Sequence, residues 1–240
     1  MIIIKKKISI NLLIYLMLYP SLASTKTAQD FGLWGSVSIF GSLSNKDPDL
    51  HKIKYLISDT QRNMADVTRF SQNLLLVGMG YAITPEWTLM GGLTHIYTNQ
   101  PYSVNTIREN RIWEQARWNK AYTHFSLTSR SRIEQRFIQG VSNVPNRFRE
   151  MLILSIPLPI NIKLSFITSN EVFWNINSIG NGSESGLNGF SQNRFFIGFG
   201  YKFSDKVSLI TGYLNQYLRY YDSPPAYMGN IITTNLNLTF

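Results

Sequence analysis

The sequence predicts an all-β chain: a transmembrane antiparallel up-and-down β-barrel with a polar, Arg-rich interior. Three observations carry that prediction. The start, "MIIIKKKISINLLIYLMLYPSLAS", sets Lys5 to Lys7 before an apolar run from Ile8 to Tyr19 and a small-residue exit. That is the layout of a secretory signal peptide. The chain also has few charges, 15%, and many aromatics, 13%; an ordinary soluble domain has about 25% charged residues. Finally, no later segment is an uninterrupted apolar run near the roughly 20 residues a spanning helix needs. The nearest, "MLILSIPLPI", is broken by Pro157 and Pro159. An exported chain without a spanning helix enters a bilayer as a closed barrel.

Cleavage is expected after Ala23, so 1–23 is the leader and 24–240 a single barrel domain. Removing three lysines lowers the formal net charge from +9 to +6. There is no cysteine, which excludes disulfides and thiolate metal sites.

A barrel strand needs about 10 residues, apolar outward and polar inward at period two. "FGLWGSVSIFGSL" (31–43) sets Phe31, Leu33, Val37 and Ile39 against Ser36 and Ser38. "HKIKYLIS" (51–58) alternates lysines with Ile53, Tyr55 and Ile57. "FSQNLLLVGMGYA" (70–82) and "WTLMGGLTHIY" (87–97) follow, joined by the short turn 83–86. In 122–137 the even positions hold Arg130, Arg132, Glu134 and Arg136, and the odd ones Phe125, Leu127, Ile133 and Phe137. A charge facing hydrocarbon costs about 2–4 kcal/mol at the midplane, so these arginines must look inward. The rule repeats in 147–156 (Arg147, Arg149), 161–175 (Lys163, Glu171) and 192–203 (Arg194, Lys202). Strands 207–218 and the C-terminal run complete the series.

Short connections at 83–86, 118–121, 157–160 and 204–206 alternate with longer ones at 98–106, 138–146, 178–191 and 222–228. Short periplasmic turns and long external loops are the barrel habit. Eleven strands are countable, but a bacterial barrel with both termini on one side has an even number. Twelve are therefore expected, with ten the alternative. A soluble β-sandwich also alternates, but it puts its charges outward.

The segments "DFGLWGSVSIFG", "ENRIWEQ", "LTSRSRIEQRF", "NRFREML", "SNEVFWN" and "QNRFFIGFGYKFS" together resemble an uncharacterised bacterial outer-membrane family, domain of unknown function 2490. The resemblance covers essentially all of 24–240. It implies a membrane β-barrel and no activity. The close, "NIITTNLNLTF", puts Ile232, Leu236, Leu238 and Phe240 on one face. It looks like the C-terminal strand read by the outer-membrane assembly machinery, with Phe240, Leu238 and Leu236 as the signal.

The candidate site is the inward charge set Arg111, Arg117, Arg130, Arg132, Glu134, Arg136, Arg147, Arg149, Glu171 and Arg194. Guanidinium forks suit phosphate and carboxylate, so the set is either an anion-attracting site or pore, or a salt-bridged plug. His124, Ser126 and Glu134 raise a hydrolase triad. Glu134 lies ten residues from His124, roughly 33 Å along a strand, which disfavours it. The three histidines, with His95 near Tyr97 and Tyr102, form no ligand cluster. Trp34, Trp87, Trp113, Trp118 and Trp174 read as interfacial aromatic belts. The expected function is a non-enzymatic outer-membrane protein, structural or a narrow channel for small anionic solutes. A surface-loop binding protein and a lipid-modifying enzyme are the alternatives. Expected partners are outer-membrane lipid, the barrel assembly machinery and small anions, with no nucleic acid, cofactor or metal.

Overall fold

The alternation does produce strands. In the computed structural model, which describes residues 27–180, 188–219 and 226–240, eleven strands close into one barrel. They are β1 (Thr27–Ser42), β2 (Ile53–Met64), β3 (Arg69–Ala82), β4 (Trp87–Thr98), β5 (Ile107–Ala121) and β6 (Ser126–Ile138). The rest are β7 (Asn146–Leu158), β8 (Asn161–Asn175), β9 (Gly189–Lys202), β10 (Val207–Arg219) and β11 (Ala226–Thr239). The leader lies outside the described residues, as do parts of 178–191 and 222–228.

Each strand pairs antiparallel with its chain neighbour, except at closure. There β1 runs parallel to β11, from Thr27 opposite Ala226 to Phe40 opposite Thr239. This overturns the expected twelve strands. An all-antiparallel barrel needs an even count, whereas one parallel seam makes an odd count close. The price of the seam is that the two ends of the barrel sequence enter and leave at opposite rims. Thr27 sits at the rim of loops 99–106 and 139–145 and the short turn 65–68, and Phe240 at the rim of turns 83–86, 122–125, 159–160 and 203–206 and the longer 43–52 connection. Below, these are the loop end and the turn end. At the turn end Phe240 N–H donates to Phe40 O (3.0 Å) and Ser42 N–H to Phe240 O (3.1 Å).

Several boundaries differ from the sequence pattern. Residues 51–52, expected as the start of the strand 51–58, instead end a one-turn helix α1 (Pro48–Lys52), capped by Asp47 accepting from Asp49 N and Leu50 N. The strand after it extends through the polar run "SDTQRNM" to Met64. Residues 118–121 belong to β5, and the turn falls at 122–125, with Tyr122 N–H donating to Phe125 O (2.8 Å). Pro157 lies within β7, next to a register shift, near the turn end, where its missing N–H is tolerated.

The outer wall is apolar: Phe31, Leu33 and Val37 on β1, Leu75, Val77 and Met79 on β3, and Ile197 and Phe199 on β9 are all exposed. The arginine-bearing faces point inward. Three acids do not follow that rule. Glu114 is exposed on the outward face of β5. Glu150 faces out on β7, accepting from Ser129 Oγ (2.6 Å) and from Ser131 Oγ. Asp59 accepts from Asn73 Nδ2 at 2.7 Å on β2 and β3.

Glycine sets the bore at one place. Gly78 pairs with Gly92, and Gly92 with Trp113. A Cβ at either glycine would meet the Trp113 indole. The bare backbone of β3 and β4 therefore lets a large ring lie flat on the inner wall.

Candidate functional site

Parity along β5 to β9 delivers the charges to one interior. Positions 109, 111, 115 and 117 on β5 face the same way as 130, 132, 134 and 136 on β6. Arg147 and Arg149 on β7, Glu171 on β8 and Arg194 on β9 continue around the wall. Nine arginines line the central cavity; three glutamates, Glu109, Glu134 and Glu171, are buried among them.

Those glutamates organise most of the arginines. Glu134, 1% exposed, takes Arg147 Nη2 at 2.5 Å and Arg149 Nη1 at 2.5 Å, with Arg111 Nη1 at 3.4 Å. Glu171 takes Arg130 Nη2 at 2.5 Å and Arg149 Nη2 at 2.6 Å, with Arg194 Nη1 at 3.8 Å. Glu109 is held by two bidentate forks, from Arg111 (2.6 and 3.1 Å) and Arg136 (2.6 and 3.1 Å). Arg149 bridges Glu134 and Glu171, so the ion pairs join into one lattice. Burying charge is costly unless each ion is paired and hydrogen-bonded, and the lattice meets that condition for its carboxylates.

Aromatic rings carry more of the cationic charge. Arg132 lies 4.4 Å above the Trp113 ring, and its Nε and Nη2 donate to Gln115 Oε1 (3.0 and 2.6 Å). Arg147, Arg149 and Arg194 stand 5.0, 4.6 and 4.8 Å from the Phe173 ring. Trp34 receives Arg62 at 4.0 Å and Arg194 at 5.1 Å. A ring face attracts a cation through its quadrupole, most strongly when both are desolvated. Trp34 and Trp113 are thus buried lumen residues, not belt residues as expected. Trp87 and Trp174 remain exposed on the outer wall.

All ten predicted charges meet in this lumen. Sequence reasoning missed Glu109, Arg62, Gln115 and Gln216. Glu109 and Gln115 share the parity of Arg111, which was the available signal. Arg62 was lost with the underestimated end of β2. Tyr102 enters from loop 99–106 and accepts from Gln216 Nε2 (3.2 Å); burial pushes its phenol pKa up.

The remaining candidates separate. His124 sits in turn 122–125 while Glu134 is engaged by arginines deep in the lumen, so the two do not form a triad. His95 faces outward, with Nδ1 2.7 Å from Asn110 Oδ1. No group of three or more potential metal ligands occurs among the described residues. Leu236 and Leu238 lie on the outward face of β11, opposite Val37 and Ile39, and Phe240, just past the strand's end, is exposed.

One cavity of about 690 Å³ threads the interior. It runs from Val141 and Ile179 at the loop end to Phe40 and Asn237 near the turn end. Its walls change around the barrel: β5 to β9 carry the ion lattice, and β1 to β4 carry mostly apolar and hydroxyl side chains.

The class defined by this fold is a closed eleven-stranded β-barrel with a charged lumen. The chain belongs to the family described as Protein of unknown function (DUF2490), whose model matches residues 31–223. It is also similar to an uncharacterised protein of Methylorubrum extorquens, 26% identical over 199 residues, which is 82% of each chain.

Proposed function

We propose that the chain is an outer-membrane β-barrel that crosses the bilayer, has no enzymatic role, and holds a narrow lumen for small anions. One observation carries this reading: polarity is inverted relative to a soluble protein. Exposed apolar side chains cover the wall, while nine arginines against three glutamates fill the interior. Such a wall suits hydrocarbon, and such an interior suits water and anions. The turn-end position of Phe240 agrees with an aromatic rim and with recognition by assembly machinery.

Planar-bilayer recording across a salt gradient tests it. Discrete conductance steps with anion preference are expected, and the preference should fall in Arg117→Gln and Arg130→Gln proteins. A folded, membrane-inserted barrel with no conductance would overturn the conduit. A protein that stays in the aqueous phase would overturn the membrane reading.

A further inference from the structure

The ion lattice does not use every cation. Arg117 and Arg130 stand directly opposite on β5 and β6. Arg130 reaches Glu171, but its Nε is buried with no hydrogen-bond partner among the described residues. Arg117 has no carboxylate within ion-pair distance among the described residues; the Phe40 ring, 5.8 Å away, is its cationic contact. Two facing like charges repel unless something anionic lies between them.

Both guanidiniums line the cavity at its change of character. Arg117 on β5 borders the wall of β1 to β4, where Phe40, Leu56, Leu76 and Met90 line the cavity, and Met151 and Ile153 line it on β7, Met151 directly opposite Arg130. All six side chains point inward, so they do not serve the apolar outer wall. With Ser38, Ser58 and Thr128 between them, they make a largely apolar wall beside a pair of incompletely satisfied cations. The whole cavity, about 690 Å³, falls in the range of small-molecule sites, roughly 300–1,000 Å³.

We infer that this part of the lumen binds a single-chain amphiphile with one oxyanion head. The head sits between Arg117 and Arg130, and the alkyl chain lies against the apolar wall beside them. The head receives charge-assisted hydrogen bonds from guanidinium N–H groups, and the chain leaves water. A fatty carboxylate and a lysolipid phosphate share this chemistry. The inference rests on the reading of the lumen as anion-accepting, and adds what kind of anion it takes.

The test uses tritiated laurate with the refolded protein in zwitterionic lipid nanodiscs, empty nanodiscs being subtracted. Saturable binding is expected, displaced by unlabelled laurate and not by acetate, inorganic phosphate or dodecanol. Displacement by dodecyl phosphate as strong as by laurate would identify the head as either oxyanion; weaker displacement would identify a carboxylate. Arg117→Gln should weaken laurate binding about tenfold or more, as expected for losing a hydrogen bond to a charged group. Leu56→Gln, on β2, which carries no member of the ion lattice, should weaken laurate similarly. Displacement by acetate as effective as by laurate would overturn the amphiphile while leaving an anion lumen intact. Equal laurate binding by both folded variants, or no saturable binding, would overturn the site, with bilayer conductance judging the conduit separately.

Discussion

Glu134 Oε2 accepts from both Nε (3.1 Å) and Nη2 (2.5 Å) of Arg147, while its other oxygen takes Arg149 at 2.5 Å. Among the described residues no other carboxylate holds so many cations at such depth. Glu134→Gln would leave several buried guanidiniums without their counter-charge. Breaking a buried pair this way costs about 3–5 kcal/mol. Denaturant unfolding should show that loss, and a smaller one for the rim pair residue Glu86→Gln.

Trp113 occupies the space that Gly78 and Gly92 leave. Gly78→Ala should destabilise the barrel by about 1–3 kcal/mol, the usual cost of overpacking. Combining it with Trp113→Leu should give a loss smaller than the sum, because the clash is with the ring. Strict additivity in thermal melts would show that the indole is not what the glycine accommodates.

The parallel seam can be read chemically, since the chain has no cysteine of its own. Leu33 faces Ile232 and Val37 faces Leu236. Cysteine pairs placed at 33 with 232, and at 37 with 236, should both oxidise to intramolecular disulfides. A pair at 33 with 236 should not. Cross-linking only in the crossed combination would mean antiparallel closure and a different strand count.

Glu86, in the turn before β4, accepts from Trp118 Nε1 (3.1 Å) and pairs with Lys120 Nζ (3.0 Å). The Lys120 hydrogen bond, then that of Trp118, holds its carboxyl below the ordinary glutamate range. A depressed carboxylate contributes stability above its unfolded pKa and loses it as pH falls through the folded one. An NMR titration of Glu86 should therefore give a midpoint below that of a free glutamate. Lys120→Ala, or high salt, should move it up.

Glu150 and Asp59 accept side-chain hydrogen bonds, whereas Glu114 has neither a side-chain hydrogen bond nor an ion pair among the described residues. If the wall spans lipid, Glu114→Leu should stabilise the barrel in bilayer vesicles, by up to about 2 kcal/mol. The same substitution should do little in solution where water covers the wall. Equal effects in the two media would count against a lipid-facing position.

The alternation that forms the strands is local, and so it was legible. Arg147 and Arg149 against Phe148 already fixed which face of β7 looks in. Parity also held the positions of Trp34, beside Ser36 and Ser38, and of Trp113, beside Arg111 and Gln115. The aromatic-belt habit overrode that signal, because large rings are expected outside a barrel unless glycines elsewhere clear room. Gly78 and Gly92 do so from two other strands. Which glutamate meets which arginine depends on register between strands, and no single strand records it. The odd strand count was visible as eleven runs but conflicted with the even-number rule, since nothing in β1 or β11 alone announces a parallel mate.

That mating has a consequence for how the molecule is made. Ser36 and Asn235, whose side chains meet at 2.5 Å, are 199 positions apart. During synthesis β1 emerges first and must wait, with one edge unsatisfied, until β11 appears. A sheet of these strands that has not closed has two bare margins, and such margins invite pairing with other chains. Closure then joins the most distant parts of the chain, which makes for slow folding. A nascent barrel of this kind depends on something that shields its first edge until its last one arrives.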